Sequence, residues 1–106
     1  MEKQTIRIIK GDSAALQETI TGLTSLEGYS AALYIAMKDG EELDVLAGEV
    51  DGLVVTYEIT AEESKDYPTG VHEFETKLWN EEGNVFTPSK GKFILDPVIE
   101  NDPNTE

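Results

Sequence analysis

Apolar and polar positions alternate along this chain with a period of two. Ile6 and Ile8 flank Arg7 and run into the turn residues Lys10, Gly11 and Asp12. Leu16, Glu18 and Ile20 share one parity, with Thr19 and Thr21 on the other. Leu33, Ile35 and Met37 are in phase, and Asp39-Gly40 follows at once. A short run from Val45 to Val50 ends at Asp51-Gly52, after which Leu53, Val55, Tyr57 and Ile59 alternate with Val54, Thr56 and Glu58. His72, Phe74, Thr76 and Leu78 alternate with Glu73, Glu75 and Lys77, and Val85 to Thr87 and Lys92 to Leu95 complete the set. Period two is the signature of strands with one buried face. The two Asp-Gly pairs suit the positive φ angles of type I′ hairpin turns.

This pattern predicts an all-β chain of about seven or eight strands, with turns spaced as in a sandwich or a barrel, and the expected fold is an antiparallel two-sheet β-sandwich. The expected core is Ile6, Ile8, Leu16, Ile20, Leu33, Ile35, Val55, Tyr57, Ile59, Phe74, Leu78, Phe93 and Leu95. One helical turn is expected at Ala61 to Lys65, with Thr60 as N-cap and Glu63 in the capping-box position. The glycines stand singly, almost all at expected turns, with Gly70 ahead of the Phe74 strand. Pro97 and Pro103 interrupt an end with little apolar content. Residues 1–97 therefore read as one domain and 98–106 as an acidic C-terminal tail.

Composition then narrows the chemistry. The 106 residues suffice for one domain with a core of its own. Eight Lys+Arg against 22 Asp+Glu give a net charge of −14. That charge disfavours nucleic acid and anionic membrane surfaces, both of which select basic patches. Without cysteine there is no disulfide, thiolate nucleophile or Cys-based metal site. A single histidine, His72, leaves little for acid–base or metal chemistry, and the expected reading of it is a half-buried side chain bonded to nearby backbone. Adjacent pairs such as Glu41-Glu42 point to opposite sides of an extended chain. No EF-hand loop occurs, although Asp39, Glu41 and Asp44, or Asp96, Asn101 and Asp102, offer oxygen atoms. The expectation is a non-enzyme with no catalytic residues, no cofactor and no metal. No signal peptide is visible behind Met1.

Trp79 has the opposite parity to Phe74 and Leu78, so it is expected on the outer side of its strand with Glu73, Glu75 and Lys77. An exposed Trp suits a protein partner or a sugar ring. These four residues are the candidate partner contact. Unpaired edge strands, Val45 to Val50 or Thr5 to Ile9, are a second means of contact.

The stretch from Ile59 to Phe74 resembles an immunoglobulin-like corner, where a strand ends, a short helical turn crosses and a Gly precedes the next core strand. Antibody-type domains place a Tyr two residues and a Cys four residues after that Gly; here His72 and Phe74 stand there. Ile8 to Asp12, Val55 to Glu63, Pro68 to Gly70, Lys77 to Trp79, Gly83 to Val85 and Gly91 to Phe93 together resemble the N-terminal Ig-like domain of phage baseplate upper proteins and related prophage tail components. The resemblance spans residues 4 to 97. It implies an immunoglobulin-like sandwich and a structural role in a virion assembled in the bacterial cytoplasm. It also implies contacts with other tail proteins or with a second copy. The alternative is a carbohydrate-binding or adhesion sandwich, with Trp79 joined by Tyr29, Tyr34 or Tyr67.

Overall fold

The computed structural model describes residues 3–37 and 39–97. The expected tail at 98–106 lies outside the described residues. The elements in order are β1 (Lys3–Ile9), β2 (Ala14–Thr19), β3 (Tyr29–Ala36), β4 (Glu42–Ala47), β5 (Glu49–Asp51), β6 (Val54–Ile59), α1 (Ala61–Asp66), β7 (Gly70–Asn80), β8 (Val85–Phe86) and β9 (Lys90–Asp96). A large sheet has the order β1-β9-β7-β3-β4, with β8 also paired to β7; a small sheet has the order β2-β6-β5. The two form an immunoglobulin-like sandwich.

Two features depart from the expected layout. The run from Val45 to Val50 is not one strand. It breaks at Gly48 into β4 of the large sheet and β5 of the small one, which brings the strand count among the described residues to nine. Gly48 donates its amide to Ala31 O at 2.9 Å, and a Cβ there would lie 2.7 Å from both Tyr57 Cε1 and Val55 Cγ1. Only glycine lets the backbone cross so close to the core. The second departure is that β1 pairs with β9 in parallel, in an otherwise antiparallel arrangement. At Gly91 of β9 a Cβ would overlap the Gln4 carbonyl and lie 2.6 Å from Gln4 N, so this glycine serves strand contact and not a turn.

The hairpin turns also differ from type I′. Gly40 and Gly52 have φ of 93° and 65°, as expected, but no described non-glycine residue has positive φ, Asp39 and Asp51 included. Asp51 pairs with Val54, so the loop is Gly52-Leu53, with positive φ at its first residue only. That is the type II′ arrangement. Asp39 contributes through its side chain, accepting the Glu41 amide at 3.0 Å. Gly70 opens β7 with φ 124°.

Ile20, Leu33, Ile35, Val55, Tyr57, Ile59, Phe74, Leu78, Phe93 and Leu95 are buried between the sheets, as the alternation requires. Burying each of these large side chains is worth about 1.5–3 kcal/mol. Ile6, Ile8 and Leu16 are only partly buried, because β1 and β2 are edge strands. Leu26, Leu46 and Tyr67 join the core from positions outside the expected set.

The crossing between β6 and β7 is held by polar contacts. Thr60 Oγ1 accepts from the Glu63 amide at 3.1 Å, and Glu63 Oε1 accepts from the Thr60 amide at 2.8 Å, completing the capping box. Ser64 is fully buried; it donates to Asp12 O at 2.7 Å and accepts from the Gly11 amide at 2.9 Å. Lys10 Nζ donates to Tyr67 O at 2.8 Å. Tyr67 donates to the Asp44 carboxylate and meets the Phe93 ring edge-on at 6.2 Å. His72 Nε2 donates to Pro68 O at 2.7 Å, tying the strand start to backbone four residues upstream. The phenol of an antibody-type tyrosine corner makes an equivalent bond. His72 is 5% exposed, more buried than the expected half.

Candidate interaction face of the large sheet

Side chains on the outer face of the large sheet follow from its register. Trp79 stands opposite Ser30 and Val85, Lys77 opposite Ala32, Glu75 opposite Tyr34 and Lys90, and Glu73 opposite Ala36 and Lys92. On β4, Ala47 and Val45 continue the Ala32 and Tyr34 rows. The eleven residues of β7 keep one alternation throughout, so all four candidate contact residues share this face.

The face has two parts. Near the β7–β8 hairpin, Trp79, Tyr34, Tyr29, Ala32, Val45 and Ala47 border a shallow hollow of about 650 Å³. Trp79 is 36% exposed and Val45 39%, and the Phe86 ring lies 6.0 Å from that of Tyr29. The hairpin that carries Trp79 is braced by Asn80, whose Oδ1 accepts from the Glu82 and Asn84 amides. Beyond Tyr34 the surface becomes charged. A groove of about 500 Å³ is bordered by Glu42, Glu73, Glu75, Lys77, Lys90 and Lys92, with Tyr34 common to both hollows. Lys77 Nζ donates to Thr87 Oγ1 at 2.7 Å and lies 3.9 Å from Glu75 Oε1. The opposed pairs Glu73–Lys92 and Glu75–Lys90 are the cross-strand arrangement that balances charge on a sheet.

Trp79, Glu73, Glu75 and Lys77 thus share one face but not one hollow: Trp79 borders the apolar part and the other three the charged part. Tyr34 and Tyr29 join Trp79; Tyr67 does not, being 4% exposed and bonded to Asp44. The hollow's β4 wall, Val45 and Ala47, belongs to the run Val45 to Val50 expected as a contact edge, and here its side chains line the face beside Trp79. Of the expected free edges, β1 and β4 are edges of the large sheet, and β5 is an edge of the small one. The edge β2 was not foreseen.

His72, Asp44 and Asp96 are each held in hydrogen bonds within the fold. His72 is buried against Pro68 O. Asp44 accepts from the Val45 amide and from Tyr67, and Asp96 accepts from Arg7 at 3.0 Å. Among the described residues no three His, Asp or Glu side chains come together as a metal site; Asn101 and Asp102 lie outside those residues. Burial first, then Asp44, pushes the Tyr67 phenol above its ordinary range. Among the described residues no helix is long and apolar enough to cross a membrane.

No family model matches this chain, and no curated protein does. Solved structures do. The crystal structure of CopC from Methylosinus trichosporium OB3b aligns with 92% of this chain and 89% of its own, at TM-score 0.58 and 11% identity. The fibronectin(III)-like modules of Clostridium thermocellum CbhA align with 93% of this chain and 94% of theirs, at TM-score 0.54 and 13% identity. At such identities the likeness is one of fold: this chain is a β-sandwich of the immunoglobulin and fibronectin(III) kind.

Proposed function

We propose that this chain is a non-catalytic structural module of a phage or prophage tail or baseplate, working through protein–protein contacts on the outer face of its large sheet. The observation that carries the contact reading is the exposed Trp79 set in an apolar hollow with Tyr34 and Val45, next to a groove of balanced charges. An aromatic anchor with a polar rim is the usual composition of a protein interface. The virion setting rests on the sequence resemblance, and the sandwich fold is compatible with it. Other tail proteins or a second copy are the proposed partners; nucleic acid and membrane are disfavoured by the charge of −14.

One observation favours the rival reading, a carbohydrate-binding module: Tyr29 and Tyr34 border the same hollow as Trp79. The two separate in one experiment. The chain and its Trp79→Ala variant are used to capture proteins from a phage lysate and are applied to a glycan array. Recovery of tail or baseplate proteins by the parent but not the variant supports the virion reading. Glycan binding lost in the variant overturns it in favour of carbohydrate recognition.

A further inference from the structure

The small sheet ends at β2, which has β6 on one side and no strand on the other among the described residues. Ile20 donates its amide to Leu53 O, and the β2–β6 register continues that alternation through Glu18–Val55 and Leu16–Tyr57. The even-numbered residues therefore bond β6, and the N–H and C=O groups of Ala15, Gln17 and Thr19 face the open edge. Beside this edge the sandwich is open. A groove of about 520 Å³ runs between β2 and the large sheet, with Ile6, Leu16, Ile20, Tyr57 and Phe74 among its walls. Among the described residues its single charged side chain is Glu18, placed inward between Leu16 and Ile20 by its pairing with the fully buried Val55. Glu18 Oε1 is buried and accepts no hydrogen bond, the one such side-chain atom among the described residues. Burial and then the Glu18 charge push the Tyr57 phenol upward, so the carboxylate acts on the groove's interior.

A carboxylate oxygen removed from water without a donor is costly, and the cost disappears when a cationic donor reaches it. We infer that β2 is a docking edge for an extended basic segment of a partner protein, which adds to the small sheet as a strand and places a Lys or Arg on Glu18. Backbone pairing with Ala15, Gln17 and Thr19 supplies the affinity common to strand addition. Selectivity comes from one cation flanked at two-residue spacing by apolar side chains, which cover Leu16 and Ile20. A chain of net charge −14 attracts such a segment at long range. This surface is separate from the Trp79 face and does not depend on the reading given to that face.

The probe is the peptide Ser-Val-Thr-Lys-Thr-Val-Ser, capped at both ends and titrated into the ¹⁵N-labelled chain. The expected result is saturable shifts of the Ala15, Gln17 and Thr19 amides. Glu18→Gln, and separately norleucine for the peptide's lysine, should each weaken binding by about tenfold or more. The norleucine peptide tests the pairing on the unaltered chain, whatever Glu18→Gln does to folding. Gln17→Pro removes one edge donor and no backbone bond to β6, and should also weaken binding. The inference is overturned by absence of shifts at millimolar peptide, by shifts centred on Trp79, or by indifference to the norleucine exchange. It is equally overturned if β2 amides shift with concentration of the chain alone, which would make a second copy the occupant.

Discussion

Phe74 and Trp79 lie five residues apart on one strand and differ in consequence. Phe74 is 4% exposed in the centre of the core, so Phe74→Ala should cost about 3–5 kcal/mol in chemical denaturation. Trp79→Ala should cost under about 1 kcal/mol, because the side chain covers the outer surface. A near-neutral Phe74→Ala would mean the face assignment of β7 is wrong. Tyr67 gives a pH test. Its folded-state pKa lies above the ordinary value near 10, through burial and then the Asp44 hydrogen bond and charge. Folding therefore holds its proton more tightly than the unfolded chain does, a contribution complete below about pH 10 and lost as pH rises towards the folded-state value. Stability should fall through that alkaline range, and Tyr67→Phe should flatten part of the fall; an unchanged slope would place the phenol in solvent. At this scale the sequence was informative wherever alternation was long. It set Trp79 outward because β7 keeps its period for eleven residues. It missed Tyr67, which sits between α1 and β7 where no period applies, and whose burial comes from contacts distant in sequence.

The elements that were legible are those whose cause is local. The helical turn α1 follows from Thr60 and Glu63, and both reciprocal bonds are present. What α1 does was not legible. Ser64 reaches Asp12 and Gly11 across 52 and 53 residues, fastening the β1–β2 turn to the crossing between β6 and β7. Ser64→Ala should cost about 1–3 kcal/mol, since it leaves the partly buried Gly11 amide without its acceptor. Amide exchange should quicken most at residues 10–12 in that variant; uniform quickening would mean Ser64 merely fills space. The division of Val45 to Val50 into two strands and the parallel pairing of β1 with β9 were hidden for a common reason. Alternation fixes which face a residue takes and says nothing about which strand lies beside it. The deciding facts are the space at Gly48 and Gly91, and those exist only once Tyr57, Val55 and Gln4 are in place.

Across the whole molecule, charge is unevenly distributed. Of eight Lys+Arg, Arg7, Lys77, Lys90 and Lys92 lie on the outer face of the large sheet, among Glu73, Glu75 and Asp96. Among the described residues both ion pairs, Arg7–Asp96 and Lys77–Glu75, lie on this face, and a net charge of −14 repels itself in the folded state. Raising sodium chloride from about 0.01 M to about 0.5 M shortens the screening length from roughly 30 Å to a few ångströms. The thermal midpoint should rise accordingly. A midpoint that falls with salt would show that the Arg7–Asp96 and Glu–Lys pairs outweigh the repulsion. The net charge was readable from composition; the clustering of cations on one sheet required the register.

The parallel pairing of β1 with β9 has a mechanical consequence. Seven residue pairs, from Lys3–Lys90 to Ile9–Asp96, run in the same direction. A load applied between Lys3 and Asp96 pulls these two strands lengthwise past one another, so every bond of the ladder carries tension together. A load applied between Gly70 and Asp96 acts on neighbouring ends of the antiparallel β7–β9 pair and opens it one bond at a time. Forced unfolding is governed by the barrier along the pulled direction. Single-molecule stretching should find a higher rupture force between positions 3 and 96 than between 70 and 96, and equal forces would contradict the parallel ladder. The pairing thus makes the fold stiffer to a pull between Lys3 and Asp96 than to one that separates β7 from β9.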